Sequence, residues 1–533
     1  VQLQALSLAS LRHLSTLDSL KQPIVQARAV RPALRAITNT HEDVYLQVAG
    51  LFANLSELLE NQIIMVEEGI VIGLSTLAFS ENDEVQQDTS RCLANLASNE
   101  DAHLPLYKQG GLVGMVKLTE GQNDITQRYA AMGLRFMAAD PDVRVLIMQD
   151  GRVQPFVAMA TSELLEYRRT AGIALASFSL HESNKALMVQ TGCVKALLSL
   201  GLQEDLSTKR DAAFSLANLS DTMELQGDLV RDGILPVLGE LAKSDDARVQ
   251  RDVARSFSTL SQTEDIRMEM IRNQSLTSVL LLAKSLDIGC QRYSALTLCN
   301  LCSGDSKVRI AEEGAIRPLV FLCRFPDTEI QRFAALALAG LTLGGHGENK
   351  TRVVEEGCMR PLVDLIKFPE RDVQLAACIA INCISLGLEQ VTKSSVMTEH
   401  GLEGILGLAD KTDDSELSST AIYALGSLSE NPDVKGRLVE IGVVGTAVKC
   451  QALGNVEVKR ACGYLFASIS EINEFHADLD KENALQSVIA LAQLEDIECQ
   501  EYAAFSLAHL ASNKDYQVRL VNLGAVRPLV SML

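Results

Sequence analysis

The sequence predicts an all-α solenoid, a fold in which small helical repeats stack one after another. Three observations predict it. The chain has 533 residues, too many for one globular core, since single cores stop growing at roughly 250–300 residues. No stretch is rich in Pro, Gly or Ser, so no linker divides the chain into ordinary domains. Short apolar segments also recur at a nearly constant spacing, which is the signature of stacked repeats.

The repeat is defined by one reference position, which first occurs at Asn54 in the segment LFANLS. The later reference positions are Asn95, Phe136, Ser177, Asn218, Thr259, Asn300, Gly340, Cys383, Ser427, Ser468 and His509. They are 41 residues apart in the first six steps and 40, 43, 44, 41 and 41 residues apart in the next five. Such regular spacing indicates one structural unit copied along the whole chain.

The residues around each reference position predict a long helix with one buried face. The positions two before and one after the reference are large and apolar in all twelve copies, as in Phe52 and Leu55. The positions five and six before it are mostly small, which allows neighbouring helices to approach closely. At about 100° per residue these four positions lie on one side of a helix, which we expect to face the core.

A recurring turn lies upstream of this helix. Its glycines are Gly69, Gly110, Gly151, Gly192, Gly233, Gly314, Gly357, Gly401, Gly442 and Gly524, with Gln274 and Asn483 in the two gaps. Proline follows three or four residues later at Pro32, Pro155, Pro236, Pro318, Pro361 and Pro528. Glycine suits a left-handed helix end, and proline suits the first turn of a helix. Each repeat is therefore predicted to contain a short first helix, a glycine turn, a second helix and a long third helix.

This three-helix unit closely resembles the armadillo repeat, on motifs such as EEGAIRPLVFL at 312–322 and IQRFAALALAGL at 330–341. HEAT repeats fit less well, because they pair two helices and lack the Gly–Pro turn. The resemblance implies a right-handed superhelix of about 13 repeats, with the third helices lining a concave groove. We expect one continuous array over residues 1–533 with partial repeats at 1–15 and 513–533. Because both ends are apolar, we expect a segment of a longer protein or ends covered by partner chains.

Composition restricts the class of partner. The formal net charge of −20 argues against nucleic acid, which attracts basic surfaces. No apolar run approaches the roughly 20 residues of a membrane-spanning helix. Twelve cysteines are scattered singly or on apolar helical faces, which is typical of reduced, buried thiols. We therefore expect a cytoplasmic protein whose partners are other proteins.

A column of arginines lies eight residues before the reference, on the face predicted to point outward. It consists of Arg128, Arg169, Arg210, Arg251, Arg292, Arg332 and, after a gap of two copies, Arg460. One hypothesis is a cationic strip that grips the carboxylates or main-chain carbonyls of an extended peptide. The other is a structural role at the start of each third helix, with Asp211 and Asp252 neutralising neighbouring arginines.

Two further columns on this face are candidate binding residues. Aromatic residues lie four before the reference in the last three copies, at Tyr423, Tyr464 and Phe505, with Tyr502 one turn before Phe505. Exposed aromatics are typical of interface hot spots, although these could instead pack over neighbouring third helices.

Asparagine occupies the reference position itself at Asn54, Asn95, Asn218 and Asn300. These residues match the groove asparagine that binds a peptide backbone in nuclear-import receptors of the armadillo family. Eight of the twelve copies lack this residue, and the chain contains no Trp to pair with it, which argues against recognition of nuclear-localisation signals.

Motifs that could support catalysis are weak. Cys299-x-x-Cys302 lies inside a predicted third helix without a second cysteine pair or a histidine pair nearby. The GGHGENK segment at 344–350 lies between helices, whereas a phosphate loop follows a strand. We therefore expect no enzyme activity, no cofactor and no metal.

The predicted function is a scaffold that holds extended segments of other proteins, and neighbouring scaffold subunits, along its groove. Among armadillo proteins the long uninterrupted array is similar to the vacuolar adaptors and to the armadillo proteins of the ciliary central pair. That resemblance, together with the apolar ends, implies an organelle-adaptor, cytoskeletal or axonemal setting. The alternative is a reversible peptide-binding adaptor or transport receptor of the importin-α or β-catenin type.

Overall fold

The computed structural model describes residues 2–39, 41–302, 306–344, 347–386, 400–411 and 413–533. Over these ranges the chain is all-α and contains no β-strand. The helices follow the order predicted from the sequence, with a short first helix, a second helix and a longer third helix in turn. The prediction of an all-α fold is confirmed.

The helices of each class recur along the chain. The first helices are Asp18–Gln26, Leu59–Glu67, His103–Lys108, Pro141–Gln149, Glu182–Gln190, Met223–Arg231, Glu264–Arg272, Lys307–Glu312, Gly347–Glu355, Pro432–Glu440, His476–Lys481 and Lys514–Asn522. The second helices are Val30–Ala36, Ile70–Leu77, Gly111–Thr119, Gln154–Met159, Cys193–Gly201, Ile234–Leu241, Ser275–Leu282, Ile316–Leu322, Met359–Ile366, Gly401–Ala409, Val443–Leu453, Ala484–Leu491 and Val526–Ser531. The third helices are Gln2–Leu14, Glu42–Leu55, Asp83–Ala97, Asp124–Ala139, Leu165–Ser179, Leu206–Ser220, Ala247–Leu260, Ile288–Cys302, Thr328–Thr342, Arg371–Ser385, Ser415–Leu428, Val456–Ser470 and Ile497–Ser512. Short 3₁₀ turns lie at Ile37–Asn39, Glu100–Ala102 and Asn473–Phe475.

The chain divides into two compact units, Val1–Ser256 and Phe257–Leu533. Within the first unit, successive third helices pack against one another from Gln2–Leu14 to Leu206–Ser220. Within the second unit they do so from Ile288–Cys302 to Ile497–Ser512. Helices that contact their equivalents in the neighbouring repeats are the defining feature of a solenoid.

The core of each unit is formed by the two apolar columns recognised in the sequence. Phe52, Leu55 and all their equivalents in the other eleven copies are at most 2% exposed. Burying two large apolar side chains per repeat against the adjoining repeat is the main force that holds the stack together.

The glycine turns adopt the left-handed backbone that the sequence predicted, as at Gly233 with φ of 93°. Gln274 and Asn483, which fill the two gaps in the glycine column, have φ of 57° and 61°. Gly401 is an exception, because the second helix already begins there and the left-handed residue is His400 with φ of 54°. Arg28, with φ of 60°, is one more left-handed residue at an equivalent turn that the glycine pattern did not indicate.

Candidate protein-binding surface

All fourteen predicted binding residues lie on third helices, and each is partly or fully exposed. They occupy the reference position and the positions four and eight residues before it. We call the surface formed by these three columns the third-helix surface. Its chemistry depends on which of these side chains are already bonded within the chain.

In the first unit, arginines of this surface bond to aspartates of the next repeat. Arg169 donates from Nη2 to Oδ1 of Asp205 at 2.8 Å, and Arg210 donates from Nη2 to Oδ2 of Asp246 at 2.5 Å. Each aspartate also accepts backbone N–H groups at the start of its own third helix. Hydrogen bonds from the two guanidinium groups hold the pKa of both carboxyls below the ordinary range. We call each such pair an Arg–Asp rung.

The second unit contains the same rungs. Arg292 donates from Nη2 to Oδ2 of Asp327 at 2.6 Å, and Arg460 donates from Nη2 to Oδ2 of Asp496 at 2.7 Å. The hydrogen bond from Arg460 keeps the pKa of Asp496 well below its usual range. Both aspartates also cap the helices that follow them. One carboxylate therefore fixes a helix start and joins two repeats.

Two rungs of the second unit depart from the common geometry. Arg332 reaches Asp372, inside the next third helix, at the longer distance of 3.4 Å. In the following repeat, Arg371 donates from Nε to Oδ2 of the cap residue Asp414 at 2.6 Å. The arginine column did not predict Arg371, because it lies at the beginning of its helix. A search for Asp at every helix cap would have found its partner.

Arg128 differs from the bonded arginines. It is exposed and forms no ion pair among the residues that the structure describes. The position 36 residues further on, which holds the partner aspartate of Arg169 and Arg210, is Leu164 in this repeat. Arg251 is also exposed and is engaged in an interaction.

Arg210 donates its hydrogen bond to Asp246, and its sequence neighbour Asp211 contributes only a weaker coulombic attraction. Oδ2 of Asp211 is buried and has no hydrogen-bond partner in the described part of the chain. It lies where Gly172 of the preceding repeat leaves room, since a Cβ at Gly172 would come within 3.0 Å of it. Burial raises the pKa of Asp211 to about 6. Burial also raises the pKa of Asp252, although neighbouring arginines act against the shift.

The asparagine column forms a second set of contacts between repeats. Each asparagine donates from Nδ2 to the Oγ of a serine at the C-terminal end of the preceding third helix, at 3.0 Å, in the pairs Asn54 and Ser15, Asn95 and Ser56, Asn218 and Ser179, and Asn300 and Ser261. We call these pairs Asn–Ser rungs. Oδ1 of Asn218 also accepts a hydrogen bond from Nη2 of Arg255 at 2.6 Å. The paired occurrence of Asn and Ser, 39 residues apart, was visible in the sequence and is the signal that identifies these rungs.

The aromatic residues form a row across three adjacent third helices of the second unit. The ring centroids of Tyr423 and Tyr464 are 6.2 Å apart, and those of Tyr464 and Tyr502 are 5.7 Å apart. Tyr464 lies over Gly426, where a Cβ would come within 2.5 Å of its ring. The tyrosines thus pack over their neighbours, whereas Phe505 is 46% exposed. We call Tyr423, Tyr464, Tyr502 and Phe505 the aromatic row.

Carboxylates border the aromatic row. Oη of Tyr464 donates to Oε1 of Glu430 at 2.7 Å. Burial raises the pKa of Tyr502, and the nearby charges of Glu498 and Glu501 raise it further. The row therefore offers aromatic faces beside negative charge.

The cysteine pair considered for catalysis lies within the third helix Ile288–Cys302. Burial raises the pKa of Cys299 to about 11, and Cys302 is fully buried. Of the GGHGENK segment, residues 345 and 346 lie outside the described residues. Within the described ranges, no three or more His, Cys, Asp or Glu side chains are grouped as metal ligands.

No protein-family model matches the sequence, and no curated protein matches it. The structure is similar to a solved structure of an engineered protein, with 27% identity and a TM-score of 0.57, over 75% of this chain and 98% of that chain. It is also similar to a chain from a structural study of a phosphorylation switch that controls the interaction between cadherin and β-catenin. That likeness has 16% identity and a TM-score of 0.71, and it covers 90% of this chain and 99% of that chain. The fold is therefore an all-α solenoid.

In the part of the chain that the structure describes, no helix has the length and apolar character needed to cross a membrane.

Proposed function

We propose that this chain is a non-enzymatic scaffold of the armadillo type that binds other proteins on its third-helix surface. The observation that carries the proposal is the aromatic row, where Phe505 is 46% exposed beside tyrosines whose tilted rings pack against one another. Aromatic side chains that are held rigidly and remain open to solvent are the usual anchors of protein interfaces.

The contacts of the arginine column also favour the aromatic row as the binding surface. Arg169, Arg210, Arg292 and Arg460 each bond to an aspartate of this chain. An acidic partner would compete with a carboxylate that is already bonded to the arginine and also caps a helix. Binding of acidic segments along the arginine strip stays a prediction.

The partner that fits the aromatic row is an extended protein segment with apolar side chains flanked by Lys or Arg. Apolar side chains would cover Phe505, while basic ones would lie over the tyrosine faces and near Glu430 and Glu498. The net charge of −20 also favours basic partners at longer range.

The experiment is affinity capture with quantitative mass spectrometry, using the native chain and two alanine variants. Phe505→Ala removes the exposed ring of the aromatic row. Phe321→Ala is the matched control, because Phe321 is 60% exposed but lies on a second helix of the same unit. We expect Phe505→Ala to weaken binding of the captured proteins about thirtyfold, since a hot-spot residue contributes about 2 kcal/mol or more.

Equal recovery with Phe505→Ala, Phe321→Ala and the native chain would exclude the aromatic row as the docking surface. Loss with both variants would indicate nonspecific adhesion through exposed aromatic rings. Only selective loss with Phe505→Ala supports the proposal.

A cytoskeletal or axonemal setting stays a prediction that rests on the length of the array and the family resemblance. A reversible adaptor or transport receptor remains the alternative. Localisation of the full-length protein separates the two, because an axonemal scaffold must be found along cilia, whereas a transport receptor exchanges between compartments.

A further inference from the structure

A cleft of about 450 Å³ in the second unit lies outside the third-helix surface. Its lining includes Arg324 after one second helix, Gln331 near the start of a third helix, and Arg360, Asp364 and Leu365 on the next second helix. The volume is within the range of about 300–1,000 Å³ that is typical of ligand sites. The aromatic row contributes no residue to it.

Gln331 differs from its equivalents in the other repeats. Six of the other eleven copies also have glutamine here, and each donates from Nε2 to the carbonyl oxygen six residues earlier at 2.6–2.8 Å, in the pairs Gln86 and Ser80, Gln127 and Gly121, Gln250 and Ser244, Gln291 and Ser285, Gln374 and Phe368, and Gln500 and Leu494. The carbonyl available to Gln331 is that of Phe325, which instead accepts the backbone N–H of Asp327 at 2.8 Å.

No hydrogen bond from Nε2 of Gln331 to another described residue takes its place, and Oε1 is buried without a partner in the described part of the chain, in a side chain only 5% exposed. A buried polar atom left without a partner destabilises the folded state. A carboxamide presents one acceptor and two donor positions, so its natural complement is another amide. The peptide group of a bound segment supplies both a donor and an acceptor.

The charged lining selects among peptides. Arg324 is exposed and has no ion pair in the described part of the chain, whereas Arg360 is engaged in an interaction. Arg324 therefore offers a free guanidinium to a carboxylate. Asp364 lies in the same lining and disfavours a simple anion, but it can accept an N–H group of a peptide backbone.

We propose that this cleft binds an extended peptide segment that carries an acidic side chain. A peptide group of the segment pairs with the carboxamide of Gln331, and the carboxylate pairs with Arg324. Apolar atoms of the segment rest against Leu365 and Phe368. This site is distinct from the aromatic row, for which basic segments are proposed, so the two proposals can fail independently.

The binding test uses short random peptides displayed on phage and selected on the full chain. Binders are then counter-selected on the Arg324→Gln and Gln331→Leu variants. We expect the peptides lost on both variants to contain Asp or Glu. For a synthetic peptide from this set, replacing the acidic residue by its amide should weaken binding about tenfold or more in fluorescence anisotropy.

Three results would overturn the proposal. Peptides that bind the native chain and both variants equally would place binding elsewhere, and a set without acidic residues would refute the role of Arg324. Competition by inorganic phosphate at equal concentration would indicate a simple anion site.

A second measurement tests the unpartnered carboxamide itself. Gln331→Leu should leave the unfolding temperature unchanged or raise it, because no internal hydrogen bond is lost. Gln374→Leu is the matched control, since Gln374 donates to the carbonyl oxygens of Ile366 at 3.1 Å and Phe368 at 2.6 Å. An equal fall in both variants would show that Gln331 is already paired, and the proposal would be wrong.

Discussion

Asn218 shows how one side chain of the third-helix surface joins two repeats. Its Nδ2 donates to Oγ of Ser179, and its Oδ1 accepts from Arg255. The carboxamide therefore bonds on both sides to neighbouring third helices. The resemblance to nuclear-import receptors implied that the same group binds a peptide backbone. For that, a partner could use the second N–H of Nδ2 and the second lone pair of Oδ1.

Asn218→Ala should destabilise the first unit by about 1–3 kcal/mol, because Ser179 and Arg255 each lose a hydrogen bond to Asn218. Amide hydrogen exchange in the helices Leu165–Ser179 and Leu206–Ser220 measures the effect. Ser177→Ala is the control, because the hydroxyl of Ser177 bonds only to the carbonyl of Ile173 in its own helix. Equal effects of the two substitutions would show that the Asn–Ser rung contributes nothing specific.

Asp211 makes stability depend on pH. Its pKa is raised by burial to about 6, above the value of about 3.9 expected in an unfolded chain. The folded state therefore binds the proton more tightly, so this group lowers stability as pH rises from about 4 to 6.

Asp211→Asn should remove this pH-dependent loss of stability, so the variant should be more stable than the native chain at neutral pH. The measurement is the unfolding temperature of both chains across this pH range, where the difference should grow with pH. A constant difference would mean that Asp211 does not titrate there.

At the scale of elements, the Arg–Asp rung combines a helix cap with an ion pair. The start of the helix Leu165–Ser179 lacks both, because its cap position is Leu164 and Arg128 has no acidic partner in the described residues. The neighbouring helix starts at Asp205 and Asp246 have both. Two opposite substitutions therefore test how much one Arg–Asp rung contributes to the free energy of unfolding.

Leu164→Asp should stabilise the first unit by about 1 kcal/mol, by capping the helix and pairing with Arg128. Asp246→Ala should destabilise it by about 1–2 kcal/mol, since it removes a cap that is already present. Urea unfolding monitored by circular dichroism checks both. If Leu164→Asp destabilises the chain, the loop before this helix does not hold the aspartate in the geometry of the other rungs.

At the scale of the whole molecule, each repeat contacts mainly its sequence neighbours, so stability is close to a sum of local terms. Loss of one rung should therefore destabilise only the helices that the rung joins. A solenoid of this length also need not unfold in a single two-state step.

Arg460→Ala should accelerate amide exchange in the helices Val456–Ser470 and Ile497–Ser512, which the rung between Arg460 and Asp496 joins. Exchange in the helices Ile288–Cys302 and Thr328–Thr342 of the same unit should not change. Hydrogen exchange measured by mass spectrometry resolves both pairs of helices. Uniform acceleration across the unit would contradict nearest-neighbour stability.

The sequence by itself determined the repeat, its three helices and its core. Burial leaves a periodic pattern that can be read along the chain, so Phe52 and Leu55 predicted the same buried positions in every copy. The candidate columns were also placed on exposed faces by this periodicity. The left-handed residue at His400 was missed, because the glycine pattern indicated the neighbouring Gly401. In the structure, Gly401 is already the first residue of the second helix, and His400 is its N-cap.

Only the tertiary structure decided what the exposed columns bond to. The partners of Arg210 and Asn218 lie 36 and 39 residues away, and stacking brings them within 3 Å. In the turn before Gln331, the carbonyl of Phe325 accepts the backbone N–H of Asp327, and Oε1 of Gln331 has no partner among the described residues. A repeating pattern specifies which side a residue faces, whereas a hydrogen bond depends on distances that the packed helices alone determine.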